Sequence, residues 1–230
     1  SPVWDTLLTL EALLDCNLSP KTFTGMQAAV DWILSKQIVT PGDWQIKVPG
    51  VSCGGWAFER ANTFYPDMDD TAVAMIVLAR IRRYYNDSSR IDRALACATD
   101  WILSMQCSNG GWAAFDLDNT NDLVTRIPFS DFGEMLDPPS VDVTAHVVEA
   151  LGCLGRTRND PAVARAVAYI LDEQEPEGSW FGRWGVNHIY GTGAVLPALA
   201  AVGTDMSAGY ITRAADWVAT HQNADGGWGE

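Results

Sequence analysis

Basic residues are scarce in this chain of 230 residues: 15 Lys and Arg stand against 29 Asp and Glu, a formal net charge of −14. That balance excludes nucleic acid as a partner, because phosphate binding needs a local surplus of Lys and Arg. Paired cysteines are lacking too. Cys16, Cys53, Cys97, Cys107 and Cys153 are odd in number, scattered and without a C-x-x-C pair, which excludes a disulfide framework and a structural zinc site. The longest apolar runs, Ala72 to Ala79 and Ala194 to Val202, fall far short of the ~20 residues a membrane-spanning helix needs. No convincing period-two alternation marks a strand. Low hydrophobicity is also missing: 47% of residues are hydrophobic and 10% aromatic, enough for a sizeable core and incompatible with disorder.

What is present is helical periodicity. Apolar residues recur at helical spacing over roughly 4–16, 24–37, 70–85, 90–106, 141–154, 161–174, 191–202 and 210–222, which predicts an all-α chain. The ten Trp and twenty Gly are not spread evenly. Four segments carry an aromatic residue, a Gln five positions later, a Gly-containing turn and a Trp: Trp32/Gln37/Gly42/Trp44, Trp101/Gln106/Gly110/Trp112, Tyr169/Gln174/Gly178/Trp180 and Trp217/Gln222/Gly226/Trp228, with a partial copy at Gly54-Gly55-Trp56. The repeating unit reads as a helical hairpin with variable insertions. A Gln at a helix end can bond backbone groups, and the Gly frees the turn so that the Trp packs closely. Four hairpins predict an incomplete α/α toroid (an α6–α6 barrel), of which they would supply about two-thirds. The pattern is cut at both ends, so the whole span 1–230 is expected to be an internal, partial barrel domain of a longer protein. Two connections, about 38–69 and 107–140, are too long for simple helix turns and are expected to be functional.

Three clusters could carry chemistry. In Asp67-Met68-Asp69-Asp70-Thr71-Ala72, three carboxylates crowd a loop-to-helix junction. Mutual repulsion and burial would keep at least one protonated near neutrality, giving a strong Brønsted acid. A solvated acidic helix start, or a Ca²⁺ or Mg²⁺ site, would explain the same residues. No G-x5-E completes an EF-hand loop, however, and the neighbours Trp56, Phe58, Phe64 and Tyr65 are aromatic. Asp142 and His146 form an i,i+4 pair that is either a helix salt bridge or a supported imidazolium able to strengthen a nearby acid. The stretch Gly178 to Gly193 is rich in aromatics, which either pack a core or stabilise a carbocation in a dry pocket. His188 and His221 read as structural or solvent-facing.

Taken together, the Gln/Trp repeats, Asp67-x-Asp-Asp-Thr-Ala, Pro138-Pro-Ser-Val-Asp-Val-Thr-Ala-His146 and Gly178-Ser-Trp-Phe-Gly-Arg-Trp-Gly-Val-Asn187 resemble the bacterial squalene-hopene cyclases, which are class II triterpene cyclases. The resemblance implies a catalytic α/α-barrel domain, squalene as substrate and hopene or hopanol as product, with no cofactor and no metal. It implies that Asp69 is the general acid, with Asp67 and Asp70 holding it in the acid form. His146, supported by Asp142, would raise its acidity, and Tyr190 would help to reprotonate it through water. Trp4, Phe58, Phe115 and Trp184 fall where relatives place cavity-lining aromatics, and Phe129 and Ser130 where a loop narrows the substrate channel. Position 115 departs from the pattern, being Phe where Tyr is common. The resemblance further implies a peripheral, monotopic protein on the cytoplasmic face of the bacterial inner membrane. Its membrane contact would lie outside this piece, and it would be a homodimer at full length. A class II diterpene cyclase and a non-catalytic toroid binding an apolar ligand are the competing readings. Few basic residues stand near the motifs to hold a diphosphate, which disfavours the former.

Overall fold

The computed structural model describes residues 1–120 and 136–229. Among them eight α-helices form and no strand ladder does; the expected all-α class holds. Contacts divide the chain into two compact units, Ser1–Met105 and Gln106–Glu230.

In the first unit, α1 (Pro2–Asp15) begins with Pro at its first turn, where the missing N–H costs nothing, and buries Val3, Leu7, Leu10 and Leu14 along one face. Helix α2 (Gly25–Ser35) buries Met26, Val30 and Ile33, and α4 (Ser89–Ser104) buries a stripe from Ile91 to Ile102. The third helix, α3 (Met68–Ile81), is different. It is buried on nearly every side, from Asp70 through Leu78, because α1 and α4 both pack on it. Its N-terminus is closed by Asp67, whose carboxylate accepts the Asp70 N–H at 2.7 Å.

The second unit follows the same plan. Helix α5 (Val141–Cys153) is buried on nearly every side, with α6 (Pro161–Asp172) and α7 (Asn187–Ala201) against it and α8 (Gly209–Thr220) packed on α7. Asp160 caps α6 by accepting the N–H groups of Ala162 and Val163, and Pro161 occupies the first turn.

The repeat is a hydrogen-bonded clamp. Gln106 Nε2 donates to the Gly110 carbonyl in its own turn and to the Ala162 carbonyl at the start of the next outer helix. Gln174 does the same to Gly178 and Tyr210, and Gln37 to Gly54 and Ala94. Each following Trp donates its backbone N–H to a threonine hydroxyl near the start of an inner helix: Trp56 to Thr71, Trp112 to Thr144 and Trp180 to Thr192, all at 2.9–3.0 Å. The indole N–H of Trp56, Trp180 and Trp228 reaches back to Ile33, Ile170 and Val218. Only glycine fits the turn: Gly110 has φ +96°, and a Cβ on Gly54 would stand 2.4 Å from the Cys97 carbonyl.

This geometry corrects the first copy of the repeat. Its turn is Gly54-Gly55-Trp56, not Gly42 and Trp44. The Ile38 N–H bonds the Gly55 carbonyl at 2.8 Å, as Cys107 bonds Gly111 in the next copy, so residues between Gln37 and Gly54 are an insertion. Trp44 lies in a single 3₁₀ turn (Asp43–Ile46) within that insertion and packs edge-on against Trp101, ring centroids 5.9 Å apart.

Candidate functional site

In the first unit, the long connection returns to the core as Asp67 N–H donates to the Trp56 carbonyl at 2.9 Å, and Thr71 Oγ1 donates to the Asp67 carbonyl at 2.6 Å. These bonds hold the three-carboxylate cluster at the N-terminus of α3. Asp67 and Asp70 are buried, 4% and 2% exposed, whereas Asp69 on the same turn is half-buried. Burial first, then the Asp70 carboxylate, pushes Asp67 well above the usual carboxylate range, against the Asp70 N–H it accepts. Burial likewise pushes Asp70 up to about 7. Among the described residues Asp67 Oδ2 and Asp70 Oδ1 find no N–H or positively charged donor, which disfavours charge on either. Two buried carboxyls whose pKa is raised, beside a third that reaches the surface, make a cluster that can hold a proton and release it. The helix N-terminus stabilises the negative charge left when that proton departs.

The second unit gathers the other polar and aromatic candidates. Asp142, fully buried in the first turn of α5, accepts the Trp184 N–H at 2.7 Å through Oδ2 and the Val143 N–H at 3.1 Å through Oδ1. His146, one turn further along α5, meets Tyr190 of α7 edge-on, centroids 6.1 Å apart. Tyr190 can lie there only because position 185 is glycine, where a Cβ would stand 2.2 Å from the ring. Trp184 and Phe115 meet edge-on at 5.9 Å, and the Arg183 guanidinium stands 6.0 Å from the Trp184 ring. Both aromatics stay partly open, Phe115 at 37% and Trp184 at 47% exposure, while Trp56, Trp101, Trp112 and Trp180 are sealed in the core. The repeat thus accounts for these four tryptophans, the insertion's Trp44 being buried against Trp101, and Trp184 keeps an open face.

Trp4 is half-buried on α1 and Phe58 exposed in the connection before α3, both in the first unit. Phe129 and Ser130 lie outside the described residues. The structure adds two kinds of residue that the sequence does not flag: the threonines Thr71, Thr144 and Thr192, and Asp137. The threonines do carry a signal, a Thr within the first two turns of each helix, fourth in α3 and α5 and sixth in α7. Asp137 has none beyond standing before Pro138-Pro139. Among the described residues no group of three or more His, Cys, Asp or Glu side chains could hold a metal ion, and no helix is long and apolar enough to cross a membrane.

The family model for the squalene-hopene cyclase C-terminal domain matches residues 1–230. The chain is 48% identical to the squalene-hopene cyclase of Bradyrhizobium diazoefficiens over 100% of this chain and 35% of that protein. It is 52% identical to the squalene-hopene cyclase of Alicyclobacillus acidocaldarius over 88% of this chain and 32% of that protein. It therefore spans about a third of the length of these relatives. The type II terpene cyclase MstE from Scytonema, solved in complex with geranylgeranyl dihydroxybenzoate, shares the fold, with a TM-score of 0.61 and 22% identity over 99% of this chain and 56% of that one. Matched from first residue to last by one family model and at about half identity by its curated members, the chain belongs to the squalene-hopene cyclase C-terminal domain family.

Proposed function

We propose that the protein containing this chain is a squalene-hopene cyclase that starts the reaction with the carboxyl cluster on α3. Asp69 gives its proton to a terminal double bond of squalene. The π electrons form the new C–H bond, the Asp69 carboxylate remains, and the tertiary cation is passed along by successive ring closures. The final cation loses a proton to give hopene, or it adds a water molecule, which then releases a proton to solvent, to give hopanol. The reading is carried by one observation: Asp69 stands half-buried on the same turn as two buried carboxyls whose pKa burial raises.

Asp67 and Asp70 keep a proton within the cluster, His146 with Asp142 supports the acid, and Tyr190 returns the proton through water. Trp4, Phe58, Phe115 and Trp184 offer π faces to the cations. Conversion of π to σ bonds drives the reaction, so the protein's task is to fold the substrate and exclude water. Squalene is a bilayer-soluble lipid, and the enzyme takes it up as a peripheral, monotopic homodimer on the cytoplasmic face of the bacterial inner membrane.

The test uses the full-length protein with squalene in detergent micelles, products being read by gas chromatography and mass spectrometry. The wild type is expected to yield hopene or hopanol. Asp69→Asn is expected to lose at least about 10³-fold in turnover with its melting temperature unchanged, since the amide cannot donate a proton to an alkene. A wild type giving no pentacyclic product sinks the function, and an active Asp69→Asn sinks the acid assignment. Co-sedimentation with liposomes reports the membrane association.

A further inference from the structure

Asp137 is 8% exposed and sits at the end of the long connection that precedes α5. Its carboxylate collects three consecutive backbone N–H groups from the far side of that connection: Oδ2 accepts from Phe115 at 2.6 Å and Asp116 at 2.7 Å, and Oδ1 from Ala114 at 3.2 Å. Its own N–H donates to the Asn119 carbonyl at 3.3 Å, and the Ser140 N–H donates to Trp112 at 3.1 Å, so residues 112–119 run antiparallel to 137–140. Burial raises the carboxyl's pKa, and the three N–H groups oppose the rise. The Phe115 ring carried by this nest is the one that meets Trp184 edge-on. From the other side, Asp142 holds the Trp184 N–H, and Arg183 Nη2 donates to the Leu136 carbonyl at 3.3 Å, next to Asp137. Two buried carboxylates therefore grip the backbones of the two rings.

We infer that Asp137 is a positioning residue: by binding the N–H groups of 114–116 it fixes the Phe115 ring edge-on to Trp184, and so sets which cation along the reaction path that ring stabilises. Hydrogen bonds to a charged carboxylate are about twice as strong as neutral ones, and the geometry of three converging donors leaves the segment little freedom. An aromatic face displaced by about 1 Å loses much of its hold on a cation, which then sheds a proton before the next ring closes. The catalytic consequence rests on the proposed cyclase reading; the backbone anchoring does not.

Two measurements on the full-length protein separate them. In Asp137→Asn, whose amide can satisfy only part of the nest, the amides of residues 114–116 are expected to exchange with deuterium about tenfold faster or more, as local opening becomes easier. With squalene, this variant is expected to divert product toward incompletely cyclised terpenes in the pattern that Phe115→Ala gives, with substrate consumption reduced less than tenfold. Loss of stability alone would lower total turnover without changing the product ratio. Asp137→Glu keeps the charge but shifts the acceptors by one methylene, and it is expected to move the ratio the same way; it serves where Asp137→Asn does not fold. Unchanged amide exchange, or a product ratio equal to the wild type's, overturns the inference. A wild type inert toward squalene would overturn the proposed function and leave the exchange experiment to judge Asp137.

Discussion

A buried carboxyl whose pKa is raised by the fold costs its protein stability in a pH window that its own proton defines. Asp70 keeps its proton up to about pH 7 in the fold, and would release it near pH 4 when unfolded. Between those values the folded state binds the extra proton, so stability falls as pH rises, by at most about 1.4 kcal/mol per pH unit for the group, and is level above. Asp67 has the same sign. Asn has the shape of the neutral carboxyl and never ionises. Asp70→Asn is therefore expected to be more stable than the wild type at pH 8, by about 1–3 kcal/mol, with the difference vanishing by pH 4. Thermal melting across a pH series measures it, and a difference that stays constant with pH would contradict the burial-driven origin of the shift.

Hairpins are joined by side chains that bond backbone at two places. Gln174→Ala would strip a donor from the carbonyls of both Gly178 and Tyr210 and remove the acceptor of Arg213, at a cost of about 1–3 kcal/mol. Urea denaturation should show a lower midpoint with an unchanged slope, and Gln174→Glu should not restore it, since a carboxylate cannot donate to those carbonyls. The eight helices are legible in the residue pattern because stripes such as Ile91, Leu95, Ala98 and Ile102 repeat at the helical period. The acid cluster is legible because its members are three near neighbours. The first repeat is not: Gly42 and Trp44 stand closer to Gln37 along the chain, yet the hydrogen bonds select Gly54 and Trp56 across an insertion. Asp137 is invisible for a related reason. Its partners are backbone N–H groups more than twenty residues away, and a backbone donor leaves no mark on residue type.

At the scale of the molecule, this chain spans about a third of its relatives. A cation kept dry through several ring closures needs walls on every side. The 230-residue polypeptide alone is therefore expected to convert no squalene under conditions in which the full-length protein is proposed to, and hopene detected from the shorter chain would refute this. The insertion between Gln37 and Gly54 carries a separate lesson about how such a protein can diversify. Its two ends are tied by the Ile38–Gly55 hydrogen bond and by Gln37 itself, while Trp44 anchors its middle on Trp101. Lengthening a loop whose ends are already fixed costs only about 0.6 kcal/mol per doubling. New sequence can thus be tried out before α3 without disturbing the hairpins, which frees this connection to evolve faster than the scaffold that bears it.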